Sequence, residues 1–217
     1  KLAGKPVVAV ITSMAQPLGT HIGNALEVKD AIDVLAGRTQ GDLLEISLLL
    51  GSHMLVLAEK AKTLPEAWTM LENALSSGAG LRKLAEMIAA QGGDSRVVED
   101  LSLLPQAAVK LVMRAESAVY LSAMDTTALG MAAQRMGAGR AKKSDMLDYS
   151  VGYVLHVRLG DEVTEDTPLA TLYARNEAEA EEAGKAIRKA LTIAGEKPSV
   201  PPLWDAVVTA EGITYNR

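Results

Sequence analysis

The sequence contains no cysteine and no phenylalanine, and aromatic residues make up only 3% of its 217 positions. The lack of cysteine excludes disulfides, thiolate nucleophiles and cysteine-ligated zinc or iron–sulfur centres. Without phenylalanine, the core has to be built from aliphatic side chains and nine methionines. The composition is 48% hydrophobic and 23% charged, which is typical of globular proteins and not of disordered or fibrous ones.

The sequence also lacks an excess of positive charge and a long apolar run. It has 22 Lys and Arg against 27 Asp and Glu, for a net charge of −5, so no basic footprint for nucleic acid is expected. The most apolar window, residues 43–58, contains Glu45, Gly51 and His53 and is too short and too polar to span a bilayer. It predicts a buried helix, and we expect no membrane partner.

The start of the chain, at Lys1, has neither an initiator methionine nor the pattern of a signal peptide. We therefore expect a cytoplasmic protein, and we interpret the 217 residues as a truncated or cleaved piece of a longer chain.

The spacing of hydrophobic residues predicts an α/β protein with a boundary near residue 105. Pro6–Thr12 is β-branched and predicts a strand buried on both faces. Asn24 is a candidate N-cap, with Glu27 completing a capping box, for a helix that ends at Gly37. Similar cap patterns predict three further helices, over residues 42–60, 63–78 and 81–90. We expect residues 1–105 to be part of a mixed-sheet α/β domain.

Residues 106–217 predict an α+β domain. Strands are expected at 108–114, 118–124, 151–158, 168–173 and 206–209, and helices at 125–136 and 176–193. The pattern G-D-x-V-x-x-x-x-P-L-A from Gly160 resembles the hairpins of biotinyl and lipoyl carrier domains, which implies a compact antiparallel sandwich. Such carriers need a lysine at a hairpin tip, and Ser122-Ala123-Met124-Asp125 offers none. Only the shape of a carrier is therefore expected.

Catalytic motifs are scarce in the sequence. The three histidines, His21, His53 and His156, have no second ligand at metal-binding spacing, and we expect His53 and His156 to be structural. No serine lies in a G-x-S-x-G elbow, and neither a Walker loop nor G-x-G-x-x-G occurs. The residues alone indicate no catalytic group.

Two glycine-bearing segments are candidate ion sites. In residues 14–24 a Pro-Leu-Gly turn exposes carbonyl oxygens, and the following helix adds Glu27 and Asp30, a donor set that suits an alkali or other hard cation. The alternative is a turn that the glycines merely permit. Residues 137–143, GAGRAKK, join three cationic side chains to two glycines, which fits either a phosphate contact or a solvated surface loop.

Five collinear segments resemble the pyrimidine-nucleoside phosphorylase and thymidine phosphorylase family. They are Met14–Gly19, Gly23–Val28, Ala89–Asp94, Gly137–Lys143 and Asp148–Asp161. The resemblance lies in the C-terminal half of the family's chains, which are about twice as long. It implies that residues 1–105 are the C-terminal part of the phosphorylase α/β domain and that residues 106–217 are its C-terminal α+β domain.

The resemblance implies reversible phosphorolysis by the intact enzyme, in which phosphate attacks a pyrimidine nucleoside and releases the base and (deoxy)ribose 1-phosphate. The family cradles phosphate with Lys-His-Ser, Ser-Gly-Arg-Gly and Thr-Gly-Gly-Thr motifs, and this sequence has none of them. Phosphorolysis needs donors and positive charge around the attacking phosphate. We therefore assign no catalytic residue, predict that this chain alone is inactive, and expect it to need an N-terminal half. The family also implies a homodimer for the intact enzyme.

One ion-binding site of the family lies partly in the C-terminal half that this sequence resembles. Some members bind potassium with backbone oxygens of the Pro-Leu-Gly segment and an acidic residue on the next helix. Matching this sequence to the family residue by residue assigns the potassium contacts to the carbonyls of Leu18 and His21 and to the carboxylate of Asp30. Relatives often have alanine where this sequence has His21 and glutamate where it has Asp30. The aspartate side chain is one methylene shorter than that of glutamate. The other family ligands are expected in the N-terminal half.

Two other functions compete with this hypothesis. One is a non-catalytic binding or scaffolding module that retains this half of the fold. The other is a carrier-like domain built on residues 160–169, which the missing lysine disfavours.

Overall fold

The computed structural model describes residues 4–117 and 119–216 and confirms the α/β class. Within these ranges the chain forms six α-helices: α1 Asn24–Leu35, α2 Asp42–Leu57, α3 Leu64–Ser76, α4 Ala79–Ala90, α5 Thr126–Ala133 and α6 Glu177–Ala190. It also forms ten short strands: β1 Ala9–Thr12, β2 His21–Ile22, β3 Val109–Arg114, β4 Val119–Met124, β5 Gly152–Leu155, β6 Glu162–Val163, β7 Pro168–Ala174, β8 Leu191–Ala194, β9 Trp204–Val208 and β10 Ile213–Tyr215.

The chain folds into two compact units that are not contiguous in sequence. The helical unit comprises the described parts of residues 1–13, 32–98 and 201–217, and the sandwich unit comprises residues 14–31 and 99–200. The expected division at residue 105 concerns domains of a longer parent protein, and it stays a prediction.

The helical unit combines packed helices with a small antiparallel sheet. α2 packs on α3 and α3 on α4, while the strands follow the order β1-β9-β10, with Ala9 opposite Val208. β1 was expected to be buried on both faces, and this is wrong. It is an edge strand whose residues alternate between exposed and half-buried, so one face of the strand lies open and only the other is partly covered.

Local capping explains where several helices begin. The Thr63 side chain accepts a 3.3 Å hydrogen bond from the backbone N–H of Glu66 at the start of α3. Asp125 accepts one of 2.8 Å from the N–H of Ala128 in α5. Each bond satisfies a backbone donor that has no partner inside its helix. The predicted cap by Asn24 is wrong. The Gly23 carbonyl accepts a 2.8 Å hydrogen bond from the N–H of Glu27, so Gly23 is the residue that precedes the helix and Asn24 is already its first residue.

The sandwich unit has two antiparallel sheets with the orders β2-β5-β7-β3 and β6-β4-β8. Side chains from both sheets and from α5 and α6 pack in one hydrophobic cluster that contains Leu121, Tyr153, Leu172 and Ile187. This arrangement agrees with the expected antiparallel sandwich. Ser122, Ala123 and Met124 lie inside β4, and Asp125 caps α5, so no hairpin tip exists at the position where a carrier would bear its lysine.

The end of α6 differs from the prediction of a helix through residue 193. The helix ends at Ala190, and β8 pairs with β4, so that Leu191 lies opposite Met124. Pairing with a distant strand therefore overrides the helical pattern after Ala190. Among the described residues, none of the helices has the length and apolar character needed to cross a membrane.

Candidate functional site

The Pro-Leu-Gly loop, residues 14–20, is held by the connection between β5 and β6. The Arg158 guanidinium donates to the Pro17 carbonyl at 2.7 Å and to the Leu18 carbonyl at 3.4 Å. The backbone N–H of Leu159 donates to the Gln16 side chain at 2.9 Å. Two segments singled out in the sequence are thus in direct contact. Charged donors such as a guanidinium make stronger hydrogen bonds than neutral ones.

The loop leads into a close crossing of two backbones at Gly23 and Gly152. Both have positive φ, 140° and 149°. A Cβ atom at Gly152 would lie 2.2 Å from the Ile22 carbonyl oxygen, and one at Gly23 would lie 2.5 Å from the Val151 carbonyl oxygen. Only glycine fits such a contact. This crossing brings the Gly23–Val28 segment against the Asp148–Asp161 segment.

The third segment, Gly137–Lys143, joins the same cluster at its first residues. The Asn24 side chain donates to the Ala138 carbonyl at 2.8 Å, and the N–H of Asp148 donates to the Gly137 carbonyl at 3.0 Å. The cationic end of this segment is an exposed loop. Its N–H groups at Ala141 and Lys142 donate to the Asp145 carboxylate at 3.1 and 2.8 Å. A carboxylate of the chain itself therefore occupies two backbone donors of this loop, and both interpretations of the segment stay predictions.

Two of the three residues predicted to bind a cation, His21 of β2 and Asp30 of α1, lie in contact. His21 Nδ1 lies 3.5 Å from Asp30 Oδ1, and the Thr20 hydroxyl lies 3.0 Å from the same nitrogen. The side chains of His21 and Asp30 are 14% and 5% exposed. The Asp30 carboxylate thus lies beside the His21 ring. Ion binding by Leu18, His21 and Asp30 stays a prediction.

The other two histidines differ in their hydrogen bonding, and the structural role expected for both stays a prediction. The His156 ring and the Thr171 hydroxyl share a 2.7 Å hydrogen bond, and burial together with the nearby Lys110 charge lowers the pKa of His156. Burial also lowers the pKa of His53 in α2. Among the described residues, His53 Nε2 and Ser52 Oγ are buried without a hydrogen-bond partner. In the same part of the chain, no group of three His, Cys, Asp or Glu side chains is arranged to hold a metal.

A cavity of about 460 Å³ in the sandwich unit was not predicted from the sequence. Two lysines from distant elements, Lys29 of α1 and Lys110 of β3, line it together with Tyr173. Lys110 Nζ lies 5.6 Å from the centre of the Tyr173 ring. Their convergence depends on how α1 packs near β3, which local sequence patterns do not encode.

Comparisons with known proteins place these segments in context. Residues 120–194 match the family described as pyrimidine nucleoside phosphorylase C-terminal domain. The chain is 48% identical over 174 residues to the pyrimidine-nucleoside phosphorylase of Bacillus subtilis strain 168, covering 80% of this chain and 40% of that protein. It is 40% identical over 206 residues to the enzyme of the same name from Staphylococcus aureus strain USA300, covering 95% of this chain and 47% of that one. The chain thus spans less than half the length of these curated relatives.

Proposed function

We propose that this chain, a relative of the pyrimidine-nucleoside phosphorylases that carries their C-terminal domain, is the C-terminal portion of an enzyme that cleaves pyrimidine nucleosides with inorganic phosphate. The products would be the free base and (deoxy)ribose 1-phosphate. The similarity over 80–95% of the chain carries this proposal. It is supported by the cluster around Gly23 and Gly152, which joins segments that the family resemblance had singled out.

The chain's own contribution to that reaction would be structural. Phosphorolysis requires a preorganised set of donors around phosphate and around the charge that develops on the departing base. The family's phosphate motifs are absent from the 217 residues, and the backbone donors of Ala141 and Lys142 hold the Asp145 carboxylate. We therefore expect this polypeptide alone to have no phosphorolytic activity, and to form one side of the substrate cleft once an N-terminal half is supplied.

The experiment measures phosphate-dependent release of uracil from uridine, and of thymine from thymidine. The chain is assayed alone and after fusion behind the N-terminal half of the Bacillus subtilis relative. We expect no base release from the chain alone and phosphate-dependent release from the fusion. A fusion carrying Gly152→Val is the matched control, because it disrupts the cluster while leaving the N-terminal half intact.

Turnover by the chain alone would overturn the predicted inactivity. A folded fusion without activity would instead favour the non-catalytic binding or scaffolding module. A homodimeric intact enzyme and a cytoplasmic location stay predictions.

A further inference from the structure

Asp30 is a carboxylate buried at the start of the sandwich unit, with only 4% of its surface exposed. Burial of a charged carboxylate is unfavourable unless another group compensates for the lost water. The nearest ionisable partner described is His21, whose Nδ1 lies 3.5 Å from Asp30 Oδ1. The chain therefore supplies its own compensating group at this position.

A charged group of the chain itself also contacts the backbone carbonyl oxygens of the Pro-Leu-Gly turn. The Arg158 guanidinium contacts the oxygens of Pro17 and Leu18, and it carries a positive charge at every relevant pH. A guanidinium at these oxygens satisfies part of their hydrogen-bonding capacity and repels a second cation.

These contacts do not fit a potassium ion held by Leu18, His21 and Asp30. Such an ion needs oxygen atoms that point at a common centre and are not already engaged by positive or donor groups. Here one predicted ligand is engaged by Arg158, and the carboxylate faces an imidazole nitrogen. The family resemblance also implies alanine, which has no such ring, at the position of His21.

We propose that the His21 ring and the Arg158 guanidinium take the place of the alkali cation in this chain. His21 holds Asp30, Arg158 holds the Pro-Leu-Gly carbonyls, and the loop is then fixed without potassium. The proposal does not depend on the charge of His21. Nδ1 lies 3.0 Å from the Thr20 hydroxyl and 3.5 Å from Asp30 Oδ1, and a proton on Nδ1, in the neutral or the charged ring, faces both oxygens. It is independent of the proposed function, since it concerns how one loop is held.

A double-mutant cycle on the whole chain tests the His21–Asp30 contact by thermal unfolding. His21→Ala should lower the unfolding midpoint by roughly 2–8 °C, because a buried carboxylate loses its partner. The same substitution made in an Asp30→Ala background should cost much less. His21→Asn keeps an N–H donor near the position of Nδ1 and should retain most of the stability. Additive losses from the two alanine substitutions would overturn the proposal.

The second arm compares potassium chloride with tetramethylammonium chloride at equal ionic strength. Tetramethylammonium is too large for a carbonyl-lined potassium site, so it controls for ionic strength alone. This arm uses the chain fused behind the N-terminal half of the Bacillus subtilis relative, because the family resemblance places the other potassium ligands in that half. We expect the same unfolding midpoint in both salts for this fusion. A midpoint that rises only in potassium would overturn the proposal and restore the ion site predicted from the family resemblance. Neither arm uses phosphorolysis, so failure here is distinguishable from failure of the proposed function.

Discussion

The hydroxyl of Tyr153 in β5 donates a 2.8 Å hydrogen bond to the backbone carbonyl of Leu129 in α5, and both residues are at most 1% exposed. This contact ties the helix to the sheet inside the core of the sandwich unit. Burial raises the pKa of the Tyr153 phenol well above its ordinary value. The neutral phenol is therefore the form that the fold selects.

Tyr153→Phe should lower the free energy of unfolding by about 1 kcal/mol, because the Leu129 carbonyl loses its side-chain donor inside the core. Urea denaturation followed by circular dichroism measures this change. Tyr149→Phe is the control, since the Tyr149 side chain is 54% exposed, and its effect should be close to zero. Equal effects at the two positions would contradict the role assigned to the Tyr153 hydroxyl.

The raised pKa of Tyr153 also predicts how stability depends on alkaline pH. A group whose pKa is raised by folding contributes stability below its unfolded pKa, about 10 for tyrosine, and loses it as the pH rises through the folded value. Stability should therefore decline above about pH 10, and Tyr153→Phe should reduce that decline. Unfolding midpoints measured between neutral and strongly alkaline pH test the difference between the two proteins.

Lys110 should influence the titration of His156. Burial lowers the pKa of His156 first, and the positive charge of Lys110 lowers it further. Lys110→Met removes that charge and should raise the pKa of His156, measured by NMR titration of the imidazole. Lys142→Met, which removes the same charge from an exposed loop, should leave the pKa unchanged. An identical His156 pKa in the Lys110→Met protein would argue against the charge effect.

The sign of the corresponding stability effect is fixed by the direction of the shift. Because folding depresses the pKa of His156, its contribution to stability is present above the ordinary value near 6.5. That contribution is lost as the pH falls through the lowered folded value.

The backbone crossing at Gly23 and Gly152 predicts strong intolerance to side chains. Gly152→Ala should destabilise the chain by about 2 kcal/mol or more, since it adds a methyl group against a carbonyl oxygen and requires an unfavourable positive φ. Gly130→Ala in α5 is the matched control, because nothing lies within 4 Å of a Cβ there and alanine favours helix. The control should be neutral or slightly stabilising in urea denaturation. Equal losses at both positions would contradict the crossing.

Arg158 should hold the Pro-Leu-Gly loop by the shape of its side chain as well as by charge. Arg158→Lys keeps the charge but cannot reach the Pro17 and Leu18 carbonyls with two nitrogens of one planar group. We expect it to lose about 1 kcal/mol of stability, and Arg158→Met to lose more. Hydrogen exchange at residues 14–20 should accelerate in both variants, and unchanged exchange would show that the guanidinium does not fix the loop.

Elements that depend on contacts between near neighbours in the sequence were predicted better than elements that depend on contacts between distant residues. The starts of α3 and α5 were predictable because Thr63 and Asp125 cap residues only three positions away. β2 and β8 were missed, since strands of two and four residues are defined by their distant partners β5 and β4. The three-residue strand β10, which pairs with the preceding strand β9, was also missed. The edge position of β1 depends likewise on β9.

The candidate site shows the same limit. Leu18, His21 and Asp30 were identified from the sequence, and the structure places His21 beside Asp30 and Leu18 beside Arg158. These two contacts were not foreseen, because they depend on how β5 and the connection after it pack against the loop.

The pairing of β1 with β9 affects how the chain folds during synthesis. Among the described residues, the strand partner of residues 9–12 is residues 204–208, and residues 14–31 and 99–200 of the sandwich unit are synthesised between them. Contacts between such distant segments form late and slowly. Residues 9–12 therefore pair with β9 only after the sequence of the sandwich unit has been synthesised, and the helical unit is the second of the two to be completed.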